Sequence, residues 1–420
     1  MTSNAPPNPP PLRNDCFALP AGVDWIPVDA ALDYLRDAMA VQVAMQTLTL
    51  YEACGRVLAQ DVHALTSNPP HANTAVDGYG FAGGRGEGAH VLPLMDARAA
   101  AGDAPTQVPP GHAIRILTGA TLPEGVDTVV LQEDTEIANA QVAFRGPIKT
   151  GANTRQAGED VVAGDVILSA GRKLTPGDIA LAAAAGHATL PVFARLRVGV
   201  LSTGDELREA GEDAQAGQIF DANRPMLLSL LTAFGMDAVD LGRAPDDRSA
   251  LRTHLDQGAA QVDAILTSGG ASAGDEDHVS ALLQETGAMS IWRIAVKPGR
   301  PLALGLWQNT PVFGLPGNPV AALVCALIFA RPALGVMAGQ GWTPPQTYHL
   351  PASFRKSKKP GRREYLRARV RNGQVEVFTS EGSGRVSGLS WAEGLVELPD
   401  AALTIQPGDS VRYIPFAQFP

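Results

Sequence analysis

The chain has 420 residues, too many for one ordinary core, and 45% of them are hydrophobic, so two to four domains are expected. A net charge of −10 argues against a dedicated nucleic-acid binder, which carries a basic footprint. The three cysteines, Cys16, Cys54 and Cys325, lie far apart and give neither a disulfide framework nor a CxxC zinc knuckle, which points to a reducing, cytoplasmic setting.

In chain order, residues 1–23 show no basic stretch followed by an apolar run, hence no secretory signal. With six prolines in the first twenty residues they predict a disordered, partly polyproline-II tail. Ala31, Leu35 and Met39, then Leu48, Leu50 and Leu58, predict a helix followed by an extended segment, the first part (24–62) of a helical domain. Between 63 and 152 short runs such as Ala113–Leu117 and Thr128–Gln132 are bounded by Pro and Gly clusters, as in a small β domain. GGRGEG at 83–88 is read as a turn, since no helix follows and Pro93 interrupts. An Ala-rich helix returns at Ile179–Ala185, so the β domain is expected as an insertion, with 153–194 closing the helical domain.

Arg197–Thr203 (RVGVLST) is a continuous apolar run, the pattern of a parallel strand covered on both faces. A helix near 223–234, a strand near 238–241, a helix near 249–260 and a strand near 262–267 complete the alternation of a doubly wound α/β domain over 195–345. The apolar run Pro319–Ala330 ends at Arg331-Pro332, too short to cross a bilayer, and no membrane association is expected. Residues 346–420 read as a C-terminal, β-barrel-like domain of short alternating strands.

Ligands of open α/β sheets bind at the carboxyl ends of the strands, where three loops fall. Ser202-Thr203-Gly204-Asp205-Glu206 offers a glycine for close backbone approach and carboxylates for a ligand or metal, although Ser, Thr or Asp before a helix also serves as a plain cap. Thr267 to Asp277 joins Gly269 and Gly270 to Ser272, Gly274, Asp275 and Asp277, small residues able to curl around phosphate and carboxylates able to hold Mg²⁺; an acidic helix start is the alternative. It is no P-loop, lacking GxxxxGK[ST]. In Gly314-Leu315-Pro316-Gly317-Asn318-Pro319, Asn318 is a good N-cap and Pro319 a good first helical residue, presenting a helix N-terminus to an anion or merely a rigid turn. Lys297-Pro298-Gly299-Arg300-Pro301 puts two cations on a proline-stiffened turn, suited to an oxyanion unless simply solvated. Asp246 and Asp247 add carboxylates at another strand end, where paired acids often only cap a helix. No HExxH or His/Cys cluster suggests zinc.

Together these segments resemble the molybdopterin molybdenumtransferase family, whose animal relative is the C-terminal part of gephyrin. The matching pieces are AVDGYGF (75–81), IRILTGATLPEGVDTVVLQED (114–134), RQAGEDV (155–161), VLSTGDEL (200–207), GQIFDANRPML (217–227), LTSGGASAGDEDH (266–278), VKPGRPLALG (296–305) and GLPGNPVAA (314–322). The similarity spans about residues 24–415. It implies an elongated homodimer that converts adenylylated molybdopterin and molybdate into the molybdenum-bound pterin and AMP with Mg²⁺, in the last step of molybdenum-cofactor synthesis.

By motif matching, Asp77, Thr118, Glu206 and Asp277 fall on catalytic positions, and Asp246, Asp277 and Glu206 on the Mg²⁺ site. Ser268, Gly269, Gly270, Ser272, Pro316, Gly317, Asn318 and Pro319 fall on the pterin site, and Lys297, Arg300, Arg367 and Ser383 on the molybdate pocket. Contacts with the adenylyltransferase that makes the activated pterin and with proteins that load molybdoenzymes are implied partners; neither nucleic acid nor membrane is. This chain departs from the family's usual residues at Val76, Phe220, Arg293 and Arg300. The rival enzyme reading is that adenylyltransferase, whose single domain resembles residues 197–340. A receptor-clustering scaffold of the gephyrin kind is the rival of another class. The basic run Arg355–Arg371, with nine Lys/Arg and one Glu, is read as a solvated hairpin, then as anion steering, then as a nucleic-acid contact.

Overall fold

The computed structural model describes residues 25–104, 106–269, 278–285, 289–299, 301–380, 382 and 384–419. Contacts divide the chain into two compact units, residues 44–194 and the remainder.

In the larger unit, the strand Arg197–Thr203 is apolar throughout because both its faces are covered. Val198 and Val200 enter one core with Leu227, Leu231 and Phe329, while Leu201 enters another with Leu251, Leu255 and Leu282. It lies second in a six-stranded sheet ordered Asp237–Ala244, Arg197–Thr203, Ala264–Ser268, Thr310–Leu315, Pro301–Trp307, Met289–Arg293. The first four strands are parallel, and the last two are antiparallel additions. The chain runs from Arg197–Thr203 outward to Asp237–Ala244, then crosses back to Ala264–Ser268 on the other side. That reversal is a topological switch point, and it opens a crevice at the carboxyl ends of these strands.

The helices Asn223–Ala233 and Pro319–Cys325 cover one face, and Arg248–Ala259 and His278–Glu285 the other. The apolar run at 319 does not stop at Arg331-Pro332. A π-helical segment, Ala326–Ala330, leads into a further turn, Arg331–Met337, giving one rod of 19 residues. Pro332 lacks the N–H of a regular helix, and the widened π turn just before it absorbs the mismatch. The rod is long and apolar enough to cross a membrane, but 89% of its most apolar window is buried within the protein, as in a core helix.

Helix Val28–Ala38 belongs to this unit rather than with the helices near 50 and 180 as the sequence suggests. Its buried stripe Val28, Ala31 and Leu35 joins the core of Leu196, Val198 and Leu227. Its Asp29 takes two hydrogen bonds from Arg363, at 2.7 and 2.8 Å.

The C-terminal sheet runs Val296–Lys297, Arg363–Arg371, Gly394–Leu398, Ser410–Pro415, Tyr348–Pro351, with Gln374–Val377 also on the second strand. Its first strand is borrowed from the α/β domain: Val296 and Lys297 pair in parallel with Arg363 and Glu364. The two domains also share a core through Tyr365, Leu395, Ile414 and Phe419. The run 355–371 is therefore no solvated hairpin. Lys356–Lys358 pairs with Leu403–Ile405, whereas Arg363–Arg371 pairs with Gly394–Leu398 and Gln374–Val377. Lys358, Glu364 and Arg367 are all buried.

The smaller unit is mostly β. A curled six-stranded sheet is joined along the 15-residue strand Arg85–Ala99, which starts within GGRGEG and pairs in parallel with Ala113–Ile116 and antiparallel with Gln141–Ile148. Around Leu58, Leu168, Leu174 and Leu190 a second core joins the ribbons Met45–Thr49/Thr189–Phe193 and Val62–His63/Val166–Leu168 to the helices Leu50–Ala53 and Pro176–Ala184. Thr175 and Asp178 close a capping box on the latter helix.

Candidate active site

The loops after Thr203, Ser268 and Leu315 meet at the switch point. Gly269 has φ +91°, and a Cβ there would lie 2.7 Å from the Thr203 carbonyl oxygen. A Cβ on Gly317 would lie 3.6 Å from the Gly269 Cα. Gly269 is thus needed for its backbone to approach Thr203 so closely, whereas a side chain at Gly317 would make only ordinary contact with Gly269. Asn318 caps the helix at Pro319, accepting from Val320 N at 3.1 Å and Ala321 N at 3.4 Å. Pro316 stands at the end of its strand and Pro319 at the first helical position, so the loop is rigid and its helix N-terminus is preformed.

The sequence reading missed the residue that ties these loops together. Asn223, at the start of its helix and 6% exposed, donates from Nδ2 to the Ser268 hydroxyl and to the Gly317 carbonyl, both at 2.7 Å. Among the described residues its Oδ1 and the hydroxyls of Ser202, Thr203 and Thr267 are buried with no hydrogen-bond partner. Buried polar atoms are rarely left so, and a cluster of them at strand ends marks a place that a polar ligand completes. Asn223 lies inside GQIFDANRPML, where it passes for a helix-start residue; nothing local reveals its long-range clamp.

Glu206 and Asp246 are exposed at the rim of the crevice. Asp246 and Asp205 exchange reciprocal bonds, each carboxylate accepting the other residue's N–H, at 3.1 and 3.3 Å. The expected alternative holds for Asp247, which caps the helix by accepting from Ala250 N at 2.8 Å. The loop after Glu206 is anchored by buried Arg224, which pairs with Glu209, Asp221 and Asp240. Among the described residues no group of three or more His, Cys, Asp or Glu is placed to hold a metal.

A second feature adjoins the first through the helix at 319. Lys297, Pro298, Val320, Arg355, Lys356 and Arg367 line a cavity of about 340 Å³, with Phe354, Tyr365, Phe378 and Ser380. Lys297 and Arg367, two predicted oxyanion ligands, are thus brought together because the Lys297 segment is an edge strand of the sheet that carries Arg367. Glu364, buried, sits 3.6 Å from Lys297 Nζ and 3.3 Å from Lys356 Nζ. Neither Lys356 nor Glu364 was expected here, since the run that holds them looks solvated.

Arg367 is less open than its assignment suggests. Its guanidinium donates to the carbonyls of Arg385 and Ser380 at 2.6 Å and of Gly382 at 3.1 Å, and packs over the Phe378 ring. Burial holds it below the ordinary arginine value. It holds the carbonyls of Ser380, Gly382 and Arg385 at least as much as it faces the cavity. Gly388 makes room for it, since a Cβ there would lie 2.5 Å from Arg367 Nη1. Burial also pushes the Cys325 thiol up to about 12, so this thiol stays protonated and is no nucleophile.

Within the smaller unit, the structure joins Asp77 and Thr118. The Thr118 amide and hydroxyl both donate to Asp77 Oδ1, the amide at 2.6 Å, and these bonds hold the carboxyl below its ordinary value. A larger cavity of about 800 Å³ in this unit, lined by Glu133, Asp134, Glu136, Arg145 and Lys149 among others, includes none of the predicted residues. Gly270, Ser272, Asp277, Arg300 and Ser383 lie outside the described residues.

The chain thus joins an α/β domain with a crevice at its switch point, an inserted β unit and a terminal β-sheet beside a cation-lined cavity, the build of a multidomain ligand-binding protein. Successive stretches match three families: the MoeA N-terminal region (domain I and II) at residues 26–186, the probable molybdopterin binding domain at 199–335, and the MoeA C-terminal region (domain IV) at 349–416. The molybdopterin molybdenumtransferase of Haemophilus influenzae is 34% identical over 92% of this chain and 98% of its own length. Molybdopterin molybdenumtransferase 2 of Mycobacterium tuberculosis is 34% identical over 87% and 94%. The crystal structure of the Pyrococcus horikoshii molybdopterin biosynthesis moeA protein superposes with a TM-score of 0.82 at 28% identity, covering 94% of this chain and 100% of that one. The chain belongs to the molybdopterin molybdenumtransferase family of molybdenum-cofactor biosynthesis.

Proposed function

We propose that this protein is a Mg²⁺-dependent transferase of the cytoplasm, acting as a homodimer, that inserts molybdate into adenylylated molybdopterin and releases AMP in the last step of molybdenum-cofactor synthesis. The supporting observation is one helix start that borders two sites of different chemistry. Gly317, just before it, abuts the hydroxyl- and amide-lined strand ends, and Val320, in its first turn, lines the cation cavity. A substrate with a phosphate linkage at one end and a metal-accepting group at the other suits such a pair of sites.

In this reading Ser268, Gly269, Gly270 and Ser272, with Pro316, Gly317, Asn318 and Pro319, cradle the phosphate end through backbone N–H groups and hydroxyls. Lys297, Arg300 and Ser383 hold molybdate, Lys356 joins them, and Arg367 fixes the loop that completes the pocket. The carboxylates Glu206, Asp246 and Asp277 are the oxygen-donor set for Mg²⁺, which supplies charge neutralisation at the phosphate oxygens when bound. The Asp205–Asp246 exchange suits that role, because it fixes Asp246 in place while leaving it further acceptor capacity. The chain's own work is positioning and electrostatics; no nucleophile–base pair is needed. Asp77, its charge stabilised by Thr118, is a further catalytic candidate. Proteins that make the activated pterin or load molybdoenzymes are the proposed partners.

Purified protein given adenylylated molybdopterin, Mg²⁺ and molybdate should release AMP, and release should stop when molybdate or Mg²⁺ is withheld. AMP release that ignores molybdate would refute the reading. Mass measurement in solution tests the dimer.

A further inference from the structure

We propose that Asn223 is a positioning residue that commits the Ser268 hydroxyl to act as a hydrogen-bond donor to a phosphate oxygen of the substrate. This rests on reading the strand ends as the phosphate cradle.

The Gly317 carbonyl can only accept, so the group facing it at 2.7 Å must be the amide nitrogen of Asn223, which fixes the orientation of the side chain. The same Nδ2 lies 2.7 Å from Ser268 Oγ. Both its protons are then spent, one on each partner. The Ser268 oxygen is an acceptor in this bond, so its own proton must point elsewhere, and no acceptor for it is present among the described residues. Ser268 is 3% exposed, so bulk water does not meet that need. A serine alone is free to rotate and to accept or donate; a serine beneath an amide donor is set to donate. Among the described residues the Thr203 and Thr267 hydroxyls, buried at the same strand ends as Ser268, have no hydrogen-bond partner either, so further donors stand where a phosphate would arrive. A doubly charged phosphate ester has acceptors only, and so matches a hydroxyl that can only give.

Binding of adenylylated molybdopterin to the full protein, measured by calorimetry, tests this. Ser268→Ala removes the donor and should weaken binding about tenfold, the usual cost of one hydrogen bond to a charged group. Asn223→Asp should weaken it at least as much, because a carboxylate takes the serine proton for itself and repels the phosphate. The deciding measurement is the cycle of Asn223→Ala, Ser268→Ala and the double variant. If Asn223 acts through Ser268, the double variant binds no more weakly than Ser268→Ala, and half-saturation by molybdate stays at the wild-type value in all of them. Additive losses, or wild-type affinity in Ser268→Ala, would overturn the proposal; Ser268→Ala keeps the Asn223–Gly317 bond, so its outcome counts even if Asn223→Ala folds poorly. Failure of the wild-type protein to bind the probe would instead strike the reading of the site itself.

Discussion

At the strand ends of the α/β domain, the buried hydroxyls of Ser202, Thr203 and Thr267 and the Oδ1 of Asn223 have no hydrogen-bond partner among the described residues. In the cavity on the C-terminal sheet three of the cations are held: Lys297 and Lys356 by Glu364, and Arg367 by three carbonyls. The two places differ in what a ligand must displace. Unpartnered buried groups carry a desolvation cost that an arriving ligand removes, so binding there has little to undo. A paired lysine must trade a buried carboxylate for the incoming oxyanion, and only the difference between the two interactions remains as affinity. The strand ends should therefore bind by fixed geometry, and the cavity by exchange of charge partners.

The largest effect is expected where that exchange is broken. Lys297→Met deletes one of the two lysines on Glu364 and leaves a buried carboxylate less compensated, facing a dianion. The molybdate concentration for half-maximal AMP release should rise about a hundredfold, the upper range for losing a charge-assisted bond, with pterin affinity held. An equal fall in pterin affinity would show that the two places are one site.

Arg367→Lys sharpens the same contrast. It keeps the charge but cannot span three carbonyls as a planar guanidinium does. If Arg367 acts by holding the carbonyls of Ser380, Gly382 and Arg385, the lysine variant should lose about tenfold in molybdate affinity, the worth of a charge-assisted bond, as much as Arg367→Ala does. Lysine restoring wild-type affinity would make it a plain charge.

How far each place was legible in sequence follows from the same contrast. The strand-end loops can be picked out locally, because Gly-rich turns after apolar strands permit close backbone approach even where a cap or a rigid turn is the alternative; Gly269 and Gly317 do meet there. The clamp by Asn223 is long-range, its partners lying 45 and 94 residues away, and no local pattern encodes it. The cation pocket was only half visible. Lys297 shows itself on a proline-stiffened turn and Arg367 comes from the family resemblance, but Lys356 and Glu364 sit in a charge run whose ordinary fate is solvation. Glu364 is buried where a two-residue strand from another domain pairs with Arg363 and Glu364, and Lys356 is half-buried in a separate pairing with Ile405, registers that composition does not reveal. The helix Val28–Ala38 was placed with the wrong core for a related reason: its stripe states that it packs, not against what.

The smallest effect should come from a site that belongs to neither place. Asp178 lies in the smaller unit, in the capping box with Thr175 and in an ion pair with half-exposed Arg172 at 2.9 Å. Burial pushes its carboxyl up, but the hydrogen bonds from Arg172 and Thr175 outweigh this and leave it below its ordinary 3.8. A carboxyl whose folded-state value is depressed adds stability above its unfolded value and loses it as pH falls through the folded one. Asp178→Asn keeps the shape and removes the charge. At neutral pH it should cost on the order of 1 kcal/mol in urea unfolding, toward the lower end because Arg172 is half in water. The gap from wild type should then close as pH drops below 3.8, where the wild-type carboxyl also takes up its proton. Affinities for molybdate and for the activated pterin should match wild type throughout. A gap that persists unchanged in acid would show that packing, not charge, makes Asp178 useful, and a loss of either affinity would mean that strain in this unit reaches the sites.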